Sequence, residues 1–358
     1  MLQLEKLYEI IDNEAAALKW PAEPATLYAP LQYMMDMGGK RLRPRLCLVS
    51  YNLFSDDIRK SILSPALALE VLHNFTLIHD DIMDKADIRR GRPTVYKKWN
   101  DNVAILSGDT MCIWAFRLLG EAPEDRLSQA LDLFTKTTVQ VCEGQQYDMD
   151  FEDRADVSLD EYLRMIGLKT SVLLACSASL GAVLAGADQT ICNGLYDFGY
   201  KLGIAFQIQD DLLDSFGDEK TFGKKIGGDI LNNKKTWLLI KSRELAEEKD
   251  RTSSPIADGQ YKTHDHTANG QYRTPDHTAD GQYRRALDEL LDMSSDEGEK
   301  KIAAVQDFYR RMGVDSLAEE AINAYYSEAI ASLRNIGLNK EQISRMEGIA
   351  ESLVKRIR

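Results

Sequence analysis

Apolar residues recur every three to four positions along most of this chain, the spacing that lays one apolar stripe along an α-helix, and strand-like alternation is nearly absent. Within residues 65 to 84, Leu67, Val71, Phe75, Ile78 and Ile82 step by 4, 4, 3 and 4, with Ser64-Pro65 as a start signal. The same periodicity predicts helices over about 103 to 119, 127 to 150, 159 to 186, 190 to 216 and 230 to 248, and again over 297 to 312, 316 to 335 and 340 to 357. Only nine prolines interrupt 358 residues, so the expected fold class is all-α. Hydrophobic residues make up 44%, enough for a sizeable core and too many for a wholly disordered chain.

One stretch, Thr170 to Ala187, runs 18 residues without a charge and is long enough to be weighed as a membrane helix. Its Ala, Ser and Gly content favours a close-packed helix inside a soluble bundle, so no transmembrane segment is expected. No signal peptide is evident at the N-terminus. The five cysteines (Cys47, Cys112, Cys142, Cys176, Cys192) are scattered, odd in number and without a CxxC pair, which points to a cytoplasmic, reducing location. With 44 Lys and Arg against 57 Asp and Glu the net charge is −13, which disfavours nucleic acid as a partner.

Residues 257 to 267, 268 to 278 and 279 to 285 form an eleven-residue tandem repeat (ADGQYKTHDHT, ANGQYRTPDHT, ADGQYRR). It holds His264, His266 and His277 but almost no aliphatic residues, so it cannot bury a core. It reads as a low-complexity insertion at about 252–285, between two helices of one domain, with metal binding by His264 and His266 as the alternative.

Two acidic triplets carry the chemistry. Asp80, Asp81 and Asp84 spell DDIMD, and Asp210, Asp211 and Asp214 spell DDLLD; with 34 aspartates in the chain, chance supplies about 0.3 such motifs. On a helix, Asp80 and Asp84 share a face with His73 and Thr76, away from the Ile78 and Ile82 stripe. Gln207, Asp210, Asp211 and Asp214 make a continuous polar ridge. Carboxylates so crowded raise one another's pKa unless cations are present, and all-oxygen ligands favour Mg²⁺. Solvated surface triplets are the alternative for either motif alone. The basic residues tip the balance: Gly38-Gly39-Lys40-Arg41-Leu42-Arg43-Pro44 can offer N–H groups and charge to a phosphate, Arg89 and Arg90 follow the first triplet, and Lys224 and Lys234 follow the second.

These residues resemble the trans-isoprenyl diphosphate (polyprenyl) synthases. The resemblance covers nearly the whole chain apart from the repeat, through GGKRLRP, HNFTLIHDDIMD, RRGRPT, GQQYD, LKTS, FQIQDDLLD and GKKIGGDILNNKKT in that order. It implies a single isoprenoid synthase-like domain over 1–358, a large orthogonal helical bundle with a central active-site cavity. It implies a homodimeric short-chain prenyltransferase that joins isopentenyl diphosphate to allylic diphosphates. Lys40, Arg43, His73 and Arg90 are then the isopentenyl diphosphate pocket, and Arg89, Lys169, Lys224 and Lys234 hold the allylic diphosphate. Three Mg²⁺ ions would sit on the two triplets, chiefly on Asp80, Asp84 and Asp210, while Lys169, Thr170 and Gln207 flank the developing cation. Gln145 and Asp148 would line the same cavity, and His79 reads as a packing or supporting histidine. The aromatic Phe75, with Thr76, matches the family's chain-length position and favours a C20 product, then C15; an ordinary core Phe is the alternative reading. A terpene cyclase usually has a different second metal motif and lacks GGKRxRP, and a non-catalytic regulatory subunit would have lost site residues present here.

Overall fold

The described residues of the computed structural model are 1–218, 226–253, 281–294 and 297–354, and their regular structure is helical apart from one small hairpin. The chain divides into two compact units. The first comprises Met1–Arg154, Leu163–Gln209 and Ala321–Arg358, and the second Ala155–Tyr162 and Asp210–Glu320.

In the first unit, α1 (Leu4–Ala17), α2 (Ala25–Asp36) and α3 (Leu42–Asn52) precede the stripe-bearing helix α4 (Lys60–Met83). That helix begins at Lys60 rather than at Ser64-Pro65. Ile62 is already buried, Lys60 pairs with Glu14, and the Ser64 hydroxyl donates to Glu121 at 2.7 Å instead of capping a helix. After the hairpin β1 (Ile88–Arg89) and β2 (Arg92–Pro93) come the short α5 (Val95–Lys98), then α6 (Asp101–Leu119) and α7 (Glu124–Glu152). The hairpin was not expected from the periodicity. Its strands pair antiparallel through Ile88 with Pro93 and Arg89 with Arg92. Arg90 and Gly91, at φ 51° and 73°, supply the two left-handed residues that a tight hairpin turn needs.

The predicted helix over 159 to 186 is interrupted. It forms α8 (Leu159–Ile166), one π-helical turn (Gly167–Ser171) and α9 (Val172–Ala185). Helix α9 is buried from Val172 to Leu184. By length and composition, Leu159–Ala185 and Lys60–Met83 could each cross a membrane, but 78% and 67% of their most apolar windows lie buried inside the protein. The small residues have a packing role: a Cβ at Gly181 would stand 2.2 Å from the Cys47 carbonyl oxygen on α3. Helix α9 therefore crosses α3 backbone to backbone. On α10 (Gln189–Phe216), Gly199 would meet the Ala175 Cα at 2.6 Å in the same way.

The second unit holds α11 (Gly228–Leu231), α12 (Trp237–Ser253), α13 (Gln282–Leu291) and α14 (Gly298–Met312), so the segment read as one helix over 230 to 248 is two. Helices α12 and α13 are joined by Arg284 to Glu247 at 2.5 Å and by Asp250, whose two oxygens accept the N–H groups of Tyr283 and Arg284 at 3.0 Å. Asp250 thus caps the orphan donors that begin α13. The buried Lys301 ammonium donates to the Leu291 carbonyl at 2.7 Å and closes the other end. Helices α15 (Val314–Arg334) and α16 (Lys340–Val354) complete the chain. The insertion expected at about 252–285 is narrower than that: residues 252 and 253 belong to α12, and the last stretch of the repeat, 281–285, opens α13, while the rest of it, with His264, His266 and His277, lies outside the described residues.

Because α12 and α13 are already fastened by Glu247 and Asp250, deleting residues 257–278 is expected to leave the melting temperature within about 3 °C of the full chain, since loop length alters stability only slowly. Loss of a cooperative thermal transition, followed by circular dichroism, would show instead that the repeat builds part of the fold.

Candidate active site

Helix α4 ends in the first acidic triplet, and the three carboxylates are treated differently. Asp81 is 1% exposed, and the Arg89 Nε donates to both its oxygens at 2.9 and 3.0 Å. The Asp80 and Asp84 carboxylates have no hydrogen-bond or ion-pair partner among the described residues. Burial pushes the Asp80 carboxyl up to about 6; Asp84 and Asp148 add to the rise, and the charges of Lys169 and Arg89 oppose it. Such a carboxylate lacks positive charge, and a bound cation would supply it. Among the described residues no three His, Cys, Asp or Glu side chains converge into a ready-made ion cage.

Facing this triplet within the same unit is the π-helical turn. A Cβ at Gly144 would stand 2.2 Å from the Lys169 backbone nitrogen, so the glycine of GQQYD lets α7 run directly against that turn. The wider turn carries Lys169, whose Nζ donates to Asp148 at 2.5 Å, and Thr170, whose hydroxyl donates to Gln207 Oε1 at 3.1 Å. Gln145 reaches from α7 to the Met83 sulfur at 3.5 Å. Five of the predicted residues, Gln145, Asp148, Lys169, Thr170 and Gln207, are thus linked in pairs or to the end of α4.

The basic set gathers around the middle of α4. A Cβ at Gly39 would meet the Arg90 guanidinium at 2.8 Å, which places Arg90 over the Gly38-Gly39 turn that precedes the exposed Lys40. Burial lowers the Arg43 guanidinium to about 10, with Glu70 countering and Arg90 reinforcing the shift. His73 is held well below its usual pKa by burial and by Arg43, Arg90 and Arg89, so it stands neutral among cations. Sequence reasoning missed Glu70, which is 4% exposed and whose carboxyl is raised by burial against the pull of Arg43, Arg90 and Arg41. Its signal was available: a lone acidic residue in the apolar run ALALEVL, one helical turn before His73.

Phe75 is partly buried against the core, and its ring stands edge-on to His79 with centroids 4.9 Å apart. His79 in turn lies 3.1 Å from the Ile105 carbonyl, where Gly108 leaves it room: a Cβ there would meet Nε2 at 2.3 Å. The Thr76 hydroxyl is turned back to the His73 carbonyl at 2.8 Å.

In the second unit the division of carboxylates recurs. Asp211 is buried and accepts from the Tyr162 hydroxyl at 2.5 Å and the Trp237 N–H at 2.9 Å, while Asp214 accepts from the Asp229 N–H at 2.9 Å. Asp210 has no hydrogen-bond or ion-pair partner among the described residues. The Asp214 contact anchors the loop Gly227 to Thr236, in which Lys234 is exposed and its N–H donates to the Asp229 carbonyl at 2.9 Å. Lys224 lies outside the described residues.

Residues 24–270 match the family model described as polyprenyl synthetase. The chain is 43% identical over 229 residues to a geranylgeranyl diphosphate synthase of Methanosarcina mazei, covering 63% of this chain and 70% of that protein. It is 41% identical over 252 residues to a geranylfarnesyl diphosphate synthase of Natronomonas pharaonis, covering 65% and 74%. A crystal structure of a geranylgeranyl pyrophosphate synthase superposes over 100% of both chains with a TM-score of 0.86 at 38% identity.

The raised Asp80 pKa sets a pH dependence. Its folded value, about 6, lies above the unfolded one, so the folded state binds more protons in between and stability falls as pH rises through about 4 to 6. Asp80→Asn is expected to gain on the order of 1 kcal/mol at pH 7 in metal-free buffer and to flatten that decline, as read by urea melts at several pH values. A variant no more stable than the parent at pH 7 would contradict the assignment.

Proposed function

The chain belongs to the polyprenyl synthetase family, and from that premise we propose that it condenses isopentenyl diphosphate with an allylic diphosphate to give geranylgeranyl diphosphate, the C20 product. The observation that carries this reading is the sorting of the first triplet: Asp81 is locked to Arg89, while Asp80, which feels the charge of Lys169, and the exposed Asp84 make no side-chain hydrogen bond or ion pair among the described residues. Asp80 and Asp84, and Asp210 in the second unit, are the carboxylates we assign to Mg²⁺, three ions per site. When bound, Mg²⁺ supplies positive charge to the oxygens of the departing diphosphate.

The protein's own groups do the rest. Arg89, held at a fixed angle by Asp81, and Lys169 grip the allylic diphosphate, a role we extend to Lys234 and Lys224. Lys40, Arg43, neutral His73 and Arg90 bind the second diphosphate. Loss of the diphosphate leaves an allylic cation, and the Thr170 and Gln207 oxygens, fixed by their mutual hydrogen bond, stabilise it from the side. The π-bond of isopentenyl diphosphate attacks that cation, and a proton leaves to the released diphosphate, so no side-chain nucleophile is required. Asp211 and Asp214 are assigned to holding backbone. We place the reaction in the cytoplasm, in keeping with the free thiols.

We also assign a second copy of the chain to the face made by α6 and α7. Leu106 and Ile113, one heptad apart on α6, are 58% and 70% exposed, and Val139 on α7 is 53% exposed, more large apolar surface than a solvated face usually carries. Replacing Leu106 and Ile113 together by lysine is expected to yield a monomer in sedimentation velocity; an unchanged dimer, or a wild-type monomer, refutes that placement.

Incubation of the purified protein with Mg²⁺, labelled isopentenyl diphosphate and each allylic primer, followed by product sizing, tests the function. Asp80→Ala and Asp210→Ala are each expected to cut turnover by about a thousandfold with the helical fold intact. Phe75→Ala is expected to lengthen the product beyond C20. Full activity in either aspartate variant, or an unchanged product distribution in the Phe75 variant, removes the corresponding assignment.

A further inference from the structure

Residues 38–41 join α2 to α3 through backbone that most residues avoid: φ is 70° at Gly38, 141° at Gly39 and 45° at Arg41. Glycine takes such angles without steric cost, whereas a left-handed arginine costs roughly 1–2 kcal/mol. Arg41 is also the N-cap of α3, a helix start that has no side-chain cap, and its carbonyl accepts the Arg45 N–H at 3.2 Å. The backbone at residue 41 therefore sets the direction in which Arg43, in the first turn of α3, leaves the helix.

Arg41 is held by a carboxylate that lies outside every motif. Asp12, on α1, takes Arg41 Nη1 at 3.1 Å on one oxygen and Arg45 Nη2 at 2.7 Å on the other. Helix α1 is itself fixed by Leu7 and Ile11, both fully buried, and the Arg45 guanidinium lies 4.6 Å over the Tyr8 ring. Asp12 is 37% exposed, and ion pairs at that exposure add little to stability. Its value lies in the conformation it selects.

We propose that Asp12 is a positioning residue for diphosphate binding: by gripping Arg41 and Arg45 it keeps residue 41 left-handed and so holds Lys40 and Arg43 in register with Arg90. The inference rests on the reading of Lys40, Arg43 and Arg90 as a diphosphate pocket.

In steady-state assays, Asp12→Asn is expected to raise KM for isopentenyl diphosphate about tenfold, with kcat and the primer's KM changed less than about twofold, and Asp12→Glu to restore it. Arg41→Gly sets its own baseline, because glycine adopts the left-handed backbone unaided. Asp12→Asn added to it is expected to change KM by less than about twofold. An unchanged KM in Asp12→Asn, an equal penalty in the Arg41→Gly background, or a fall in kcat that tracks a fall in melting temperature would overturn the proposal. Calorimetric binding of inorganic pyrophosphate reads the same effect without turnover: about tenfold weaker in Asp12→Asn if the proposal holds, unchanged if it fails. A wild-type chain that binds pyrophosphate but incorporates no isopentenyl diphosphate would instead count against the function alone.

Discussion

Like charges crowded into a partly dry interior are the constraint around which this protein is arranged. A buried carboxylate without compensation is costly, and two side by side cost more. The first triplet meets that cost for one member only: Asp81 is neutralised by Arg89, and Asp80 stays short of positive charge. The basic cluster shows the mirror image. Burial and then Arg90 lower the Arg43 pKa, with the buried Glu70 as the leading counter-charge of both arginines and Asp81 adding to it at Arg90, and His73 remains neutral because a further cation there would be worse. One end of α4 thus favours cations and its middle favours anions.

Close backbone approach makes this crowding possible. Gly144 brings α7 against the π-helical turn, and Gly203 would meet the Ser171 Cα at 2.5 Å from the α10 side, so the turn bearing Lys169 and Thr170 is pinched between two glycines. A π-turn is a poor conformation by itself and persists where its surroundings leave no alternative. Here the surroundings are glycines, which cannot relax by moving a side chain. The direction of Lys169 and Thr170 is therefore set by helix packing rather than by local preference.

The helical class was legible because its signal is periodic: the stripe from Leu67 to Ile82 lies on α4, where Leu67, Val71 and Ile78 are buried. The motifs were legible as clusters of residue types, yet the inequality inside each triplet was not. Nothing in the spelling DDIMD says that its middle aspartate belongs to Arg89, eight residues on, because that pairing depends on a hairpin two residues per strand long. The π-turn escaped for a related reason. An extra residue in a turn rotates the downstream face by about 100°, but α9 is buried from Val172 to Leu184 and has no stripe to betray the shift, and the cause of the turn lies in Gly144 and Gly203, far away in sequence. Ser64-Pro65 misled because it carries a start signal inside a longer helix, where the buried Ile62 outweighs local preference.

Backbone strain follows the same charges. Among the described residues, the non-glycine positions with left-handed backbone are Arg41, Lys85, Arg90 and Asn233. Lys85 ends α4 directly after the first triplet, with the Ala86 N–H closing on the Asp81 carbonyl at 2.9 Å, and Arg90 heads the hairpin that delivers Arg89 to Asp81. Glycine would relieve each position by about 1 kcal/mol. At Arg41 and Arg90 the cationic side chain is itself what the neighbouring carboxylates attract, Asp12 in one case and Glu70 in the other. Strain at these turns is thus the consequence of needing a cation and a reversal of the chain at one residue, a demand that neither glycine nor a relaxed arginine can meet.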